Sequence, residues 1–215
     1  MRIVREGWVF ILGCLVAANF FLMVGAYVKS YFCITLAILF FLATAFCVYF
    51  FRDPARVIPK GENLILSPAD GRILEIIEGK DADGPEPVWI LRIFLSVFEP
   101  HLQRSPVAGK IRAIHYKRGR FLDARDPRAP FENEQNRIEI VSHSGRTSII
   151  VTQIAGLIAR RIVCWVKTGQ NVQAGERIGL IRFGSQVDVV MPIASRLKVK
   201  AGDFVTAGDT VLAEL

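Results

Sequence analysis

The chain is 215 residues long, 52% apolar and 22% charged, with a formal net charge of +7. That length holds either one domain with a full core or a smaller domain joined to a membrane anchor, and the positive mean hydropathy favours the second. The basic balance calls for an acidic partner; no nucleic-acid-binding motif is present, so anionic lipid headgroups are the expected one.

Residues 8–28 form an apolar run without a charge, and residues 31–51 form another, with only Lys29-Ser30 between them. Each approaches the ~20 residues that a bilayer-spanning helix needs, so residues 1–52 read as a transmembrane helical hairpin. A cleaved signal peptide and a pair of buried core helices are the alternatives. Basic residues lie outside the runs, Arg2 and Arg5 before, Lys29 between, and Arg52, Arg56 and Lys60 after. That excess at both ends puts both termini in the cytoplasm and the remainder of the chain on the cytoplasmic side of the cell (inner) membrane. Cys14, Cys33 and Cys47 fall in the apolar runs and Cys164 in a strand-like run; they read as small buried hydrophobes in a reducing compartment, with no metal-ligand spacing.

Residues 53–60 mix Arg, Pro and Asp after Phe50-Phe51, the composition of an interfacial linker. From Gly61 onward helical periodicity nearly vanishes, and residues 61–215 read as a mainly β domain. The expected strands are 64–66, 72–77, 88–95, 109–116, 137–141, 147–153, 159–166 and 177–183, with polar loops at 81–87 and 123–133. Gly184-Ser185 follows an apolar run and precedes Val187-Asp188-Val189-Val190, so it interrupts two strands. A turn or bulge explains a lone Gly-Ser. A self-cleaving serine explains it too, since glycine leaves its own carbonyl open to attack.

Two segments echo each other. Residues 166–176 recur 33 positions later, and Ser67-Pro68-Ala69-Asp70-Gly71 is matched by Ser105-Pro106-Val107-Ala108-Gly109. The repeats point to a pseudo-symmetric β-sandwich or barrel. The pattern resembles the hammerhead barrels of lipoyl and biotinyl carrier domains, although Val190-Met191-Pro192-Ile193 stands where a modifiable lysine would be.

Taken with Phe50-Phe51-Arg52-Asp53-Pro54, three stretches carry a more specific resemblance: Ser67-Pro68-Ala69-Asp70-Gly71, Phe98-Glu99-Pro100-His101-Leu102-Gln103-Arg104-Ser105-Pro106 and Phe183-Gly184-Ser185. In this order they resemble the short form of the phosphatidylserine decarboxylase family, from about residue 50 to the end. The resemblance implies a zymogen that cuts itself between Gly184 and Ser185 and turns Ser185 into a covalent pyruvoyl cofactor, leaving chains 1–184 and 185–215 bound together. It implies decarboxylation of phosphatidylserine to phosphatidylethanolamine in phospholipid biosynthesis, and a homodimer. Ser185, His101 and Asp70 take the catalytic positions. Where longer relatives have a second histidine this chain has Arg104, so Asp70 acting directly and His101 serving twice both remain open as the base for processing. Histidine suits the return of a proton to the substrate because its ordinary pKa of about 6.5 lets it give and regain one near neutrality.

Arg104, Arg160, Arg161 and Gly156 are the candidate substrate contacts, the arginines for a phosphate and the glycine for close backbone approach. A solvated basic face and a strand bend are the plainer readings. A pyruvoyl decarboxylase of a soluble amino acid and a membrane-tethered lipoyl-like adaptor without catalysis are the competing functions. The first gains nothing from a bilayer, and the second leaves the Asp, His and Gly-Ser motifs unexplained.

Overall fold

The computed structural model describes the chain apart from residues 1, 62, 81–85, 144, 146, 158–160 and 183–184. It divides into two compact units, Met1–Ala55 and Arg56–Leu215.

In the first unit a two-residue strand β1 (Arg2–Ile3) and a single 3-10 turn lead into helix α1 (Trp8–Val28), which is followed by α2 (Tyr31–Phe50) and β2 (Arg52–Asp53). The turn between the helices is as short as the sequence allows. Lys29 takes the left-handed conformation (φ 51°), Ser30 N–H closes on Gly25 O at 3.0 Å, and Ser30 then caps α2. Both helices are long and apolar enough to cross a membrane. Their outer ends meet: β1 pairs antiparallel with β2, Phe10 stacks on Phe51 at 5.4 Å, and Gly7 leaves the room that the Phe51 ring fills.

The second unit is mainly β. Its strands are β3 (Leu64–Leu66), β4 (Gly71–Lys80), β5 (Pro87–Leu95), β6 (Leu102–Arg104), β7 (Gly109–Lys117), β8 (Gln135–Ser142), β9 (Ser148–Ala155), β10 (Ile162–Cys164), β11 (Asn171–Val172), β12 (Arg177–Ile181), β13 (Ser185–Pro192), β14 (Arg196–Leu197), β15 (Phe204–Val205) and β16 (Val211–Glu214). Eight of them make one antiparallel sheet in the order β11-β7-β8-β9-β13-β5-β4-β15. Two three-stranded sheets, β10-β12-β6 and β14-β16-β3, complete the unit. Alternation sorts the large sheet's side chains: Leu91 and Ile93 on β5, Ile138 and Ile140 on β8, Ile149 and Val151 on β9, and Val187 and Val189 on β13 all enter one core.

The expected strands at 64–66, 88–95 and 109–116 match closely. The one expected at 159–166 is only Ile162–Cys164, with 159–160 outside the described residues, and the one expected at 177–183 stops at Ile181. The loop expected at 123–133 holds a turn of helix, α3 (Ala129–Glu132), which Pro130 helps to start. The loop expected at 81–87 lies mostly outside the described residues, and β5 already begins at Pro87.

The two Ser-Pro segments make matching hydrogen bonds. Ser67 Oγ donates to Ala69 O and Ser105 Oγ to Val107 O, each at 2.7 Å. Leu66 N–H donates to Pro106 O and Arg104 N–H to Pro68 O, each at 2.9 Å. Gly208 N–H reaches Ser67 O as Gly175 N–H reaches Ser105 O, and Gly202 serves Ile73 as Gly169 serves Ile111. A β-bulge follows at the same place in each copy, at Ile73/Glu75 and at Ile111/Ala113.

Candidate active site

Ser185 opens β13, the strand held between β5 and β9, where it pairs with Leu95 on one side and Ala155 on the other. Its side chain shares the core face with Val187 and Val189 and is fully buried. Among the described residues its Oγ has no hydrogen-bond partner. Gly184 and Phe183 lie outside the described residues. Gly156 is buried and directly follows Ala155, the partner of Ser185.

Asp70 stands immediately before β4, where the next residue must be small: a Cβ on Gly71 would sit 2.2 Å from Phe94 O. Its carboxylate is buried, and Arg56 Nη2 donates to Oδ1 at 2.6 Å. Burial pushes its pKa up to about 6; the Arg56 guanidinium, both as a charge and as a hydrogen-bond donor, pulls against that without cancelling it. The second oxygen, Oδ2, has no hydrogen-bond partner among the described residues. Arg56 lies in the stretch read from sequence as interfacial linker, and its guanidinium meets this carboxylate.

His101 precedes β6 and is buried. Its ring Nδ1 lies 2.9 Å from Glu99 O, and its own carbonyl accepts from Ile181 N–H at 3.0 Å. A carbonyl can only accept, so Nδ1 carries the proton in this contact. Neither His101 nor Asp70 hydrogen-bonds Ser185 Oγ. The three are placed by different elements: the head of β13, the approach to β4, and the approach to β6, whose partner β12 ends four residues before Ser185.

Arg104 is half-buried and its Nη1 donates to Gly175 O at 2.9 Å, which ties it to the fold. Arg161 is exposed, its carbonyl accepting from Arg182 N–H at 3.2 Å, and Arg160 lies outside the described residues.

On the opposite face of the sheet from Ser185 is a group that sequence reasoning did not single out. Glu75, Arg92 and Asp188 stand directly across from one another on β4, β5 and β13. Arg92 Nη1 meets Glu75 Oε1 at 2.5 Å, Arg92 Nε lies 3.5 Å from Asp188 Oδ2, and Gln186 donates to Asp188 Oδ1. Burial pushes the Asp188 carboxyl up to about 6 despite these partners. The one available signal was a lone carboxylate inside the run Val187-Asp188-Val189-Val190.

Fold and site together define a mainly β domain, preceded by an apolar helical pair, whose buried serine heads a central strand. The profile of the phosphatidylserine decarboxylase family matches residues 43–213. A phosphatidylserine decarboxylase proenzyme of Geobacter metallireducens is 41% identical over 213 residues, covering 99% of this chain and 96% of the relative. That of Burkholderia cenocepacia strain HI2424 is 45% identical with the same coverage, and that of Geotalea uraniireducens is 46% identical over 180 residues, 84% of each chain. The chain belongs to the phosphatidylserine decarboxylase family.

Proposed function

We propose that this chain is a membrane-anchored proenzyme that cleaves itself between Gly184 and Ser185 and then decarboxylates phosphatidylserine to phosphatidylethanolamine. The observation that carries the reading is Ser185 itself: a fully buried hydroxyl with no hydrogen-bond partner among the described residues, at the head of a central strand, in a chain of this family. Buried orphan hydroxyls are rare in folded proteins and ask for an explanation; one about to be consumed supplies it.

For cleavage, Ser185 Oγ must lose its proton as it attacks the Gly184 carbonyl, which moves the bond to Gly184 from the Ser185 nitrogen to its oxygen. Asp70 suits the proton's destination, because a carboxyl lifted to about 6 is ionised at neutral pH yet far more basic than an ordinary one. Elimination then releases Gly184 as a carboxylate, and hydrolysis of the resulting dehydroalanine releases ammonia and leaves a pyruvoyl group at the new terminus, a position the fold keeps buried. When in place, the pyruvoyl ketone holds the substrate amine and takes up the electrons released as carbon dioxide leaves. His101, its ring anchored through Nδ1 on Glu99 O, is the group that holds a proton and returns it to the substrate carbon.

The domain plan that goes with this reading is a transmembrane hairpin in residues 1–52, a linker at 53–60 and a catalytic domain at 61–215 on the cytoplasmic side. The antiparallel pairing of β1 with β2 supports a hairpin whose two ends lie together. The matching hydrogen bonds of the two Ser-Pro segments support a pseudo-symmetric, lipoyl-like repeat. Anionic lipid is the partner surface, Arg161 and Arg160 serve the substrate phosphate, Gly156 gives close approach, and the assembly is a homodimer.

The test is the intact mass of the detergent-solubilised protein with and without a carbonyl-reactive hydrazide, beside an assay of phosphatidylserine conversion. Two chains split at Gly184, the smaller gaining the hydrazide, with Ser185→Ala remaining one inactive chain, is the expected result. A single unreactive chain in active membranes overturns it.

A further inference from the structure

A chain of buried amides crosses from the large sheet to the three-stranded sheet β10-β12-β6. Asn136 on β8 donates through Nδ2 to Gln153 Oε1, Gln153 on β9 donates through Nε2 to Gln103 Oε1, and Gln103 on β6 donates through Nε2 to His101 O, each at 2.9 Å. All three side chains are buried, Gln103 and Gln153 completely. The polarity is set from one end. His101 O can only accept, so Gln103 turns its nitrogen toward it, and each amide further back must then follow the same sense. The fold makes room for the crossing: β12 has a glycine where it passes, and a Cβ on Gly179 would stand 2.6 Å from Gln153 Nε2.

Three polar side chains in an apolar interior are costly to keep unless every member is satisfied, and a purely apolar core would hold two sheets together as well. What an apolar core would not do is fix one carbonyl. Gln153 sits opposite Val187, two residues along β13 from Ser185, and on the same face. The relay therefore measures the position of the His101 backbone from the strand that carries Ser185, across the gap between the two sheets. Ile181 N–H holds the same carbonyl from β12, and Glu99 O holds the ring.

We propose that Asn136, Gln153 and Gln103 are positioning residues that set His101 against position 185. The inference rests on the catalytic role given to His101 above. Losing the relay lets the His101 backbone drift while the substrate surface stays intact. A displacement near 1 Å at a reacting group costs roughly 100-fold in rate, so the loss should fall on kcat and leave KM within about twofold.

The experiment has two arms. In the uncleaved Ser185→Ala protein, labelled with 15N-histidine, the chain's three histidines, His101, His115 and His143, give a spectrum simple enough to assign. Gln153→Leu is expected to shift the His101 ring signals and its titration midpoint and to leave the other two unchanged. In the processing-competent protein, Gln153→Leu and Gln153→Glu are compared for kcat, KM and pH profile on phosphatidylserine. The glutamate keeps the shape but puts an acceptor oxygen where Gln153 Nε2 donates to Gln103, and it should be as harmful as leucine. Should a single variant fold poorly, replacing all three amides by leucine removes the polar chain without leaving half of it unsatisfied, and it is expected to fold yet show the same kcat loss. Unchanged His101 signals with wild-type kcat, beside an inactive His101→Ala, overturn the relay alone. An active His101→Ala overturns the role of His101 and the relay with it.

Discussion

Arg56 Nη2 lies 2.6 Å from Asp70 Oδ1, with both side chains withdrawn from solvent, and a second contact runs from Arg56 Nη1 to Asp209 Oδ2 at 3.9 Å. This guanidinium is what keeps the Asp70 carboxyl from rising further than about 6. In Arg56→Met the burial stays and the counter-charge goes, so the carboxyl should move up into the neutral range. Self-cleavage at pH 7 then slows, by about 2-fold if the carboxyl reaches 7 and about 10-fold if it reaches 8, and recovers as the pH is raised to 8.5, because the base is restored by deprotonation. A gel time course of precursor conversion across pH measures this. A slowed rate that ignores pH would show that Arg56 acts on something other than Asp70.

Asp70 and Asp188 both have folded-state pKa values pushed up to about 6 from 3.8. The folded state therefore holds these protons more tightly than the unfolded chain. Their contribution to stability is fully present below about pH 4 and is lost as pH rises to about 6, on the order of 1–3 kcal/mol each. The urea midpoint of the Ser185→Ala protein should fall between pH 4.5 and pH 7. Asp188→Asn, which resembles the protonated form, should lessen that slope. A midpoint that rises over this interval would contradict both assignments.

Glycine positions give a steep contrast. Gly71→Ala and Gly109→Ala each force a Cβ to 2.2 Å from a backbone oxygen, of Phe94 and Val141 respectively, and both should abolish folding and hence processing. Gly145→Ala meets nothing within 4 Å and pays only for its left-handed φ of 69°, about 1–2 kcal/mol. Expression of folded protein and its thermal midpoint would separate the two classes.

Strand β13 pairs with β5 over eight residues and with β9 over six, beginning at Ser185 in both cases. A cut before Ser185 removes none of those pairs. The 185–215 fragment should co-elute with the larger chain in detergent and separate only in denaturant; early loss of the fragment would mean that the ladder does not hold it.

Local pattern made much of this legible. The two apolar helices follow from charge-free runs, and β5 and β7 from β-branched runs bounded by Gly and Pro. The motifs that carry the family resemblance also carry Ser185, Asp70 and His101. What stayed hidden has no local signature. Arg56 lies in the stretch read as an interfacial linker, and its partner is 14 residues away and buried. Gln103 and Gln153 are 50 residues apart and read singly as ordinary polar residues. Arg92 and Glu75 become partners only through a bulge that shifts the register of β4 against β5.

The two Ser-Pro segments share their hydrogen bonds to within 0.1 Å or so, yet Asp70 in one is Ala108 in the other. The carboxylate is thus a matter of address and not of motif: the same backbone hydrogen bonds occur twice, and only one copy carries an acid with Arg56 upon it. The silent copy is a control that the molecule carries within itself. A carboxylate placed at 108 would share the backbone of Asp70 and lack its partners, so comparing the two would separate what the turn does from what its surroundings do.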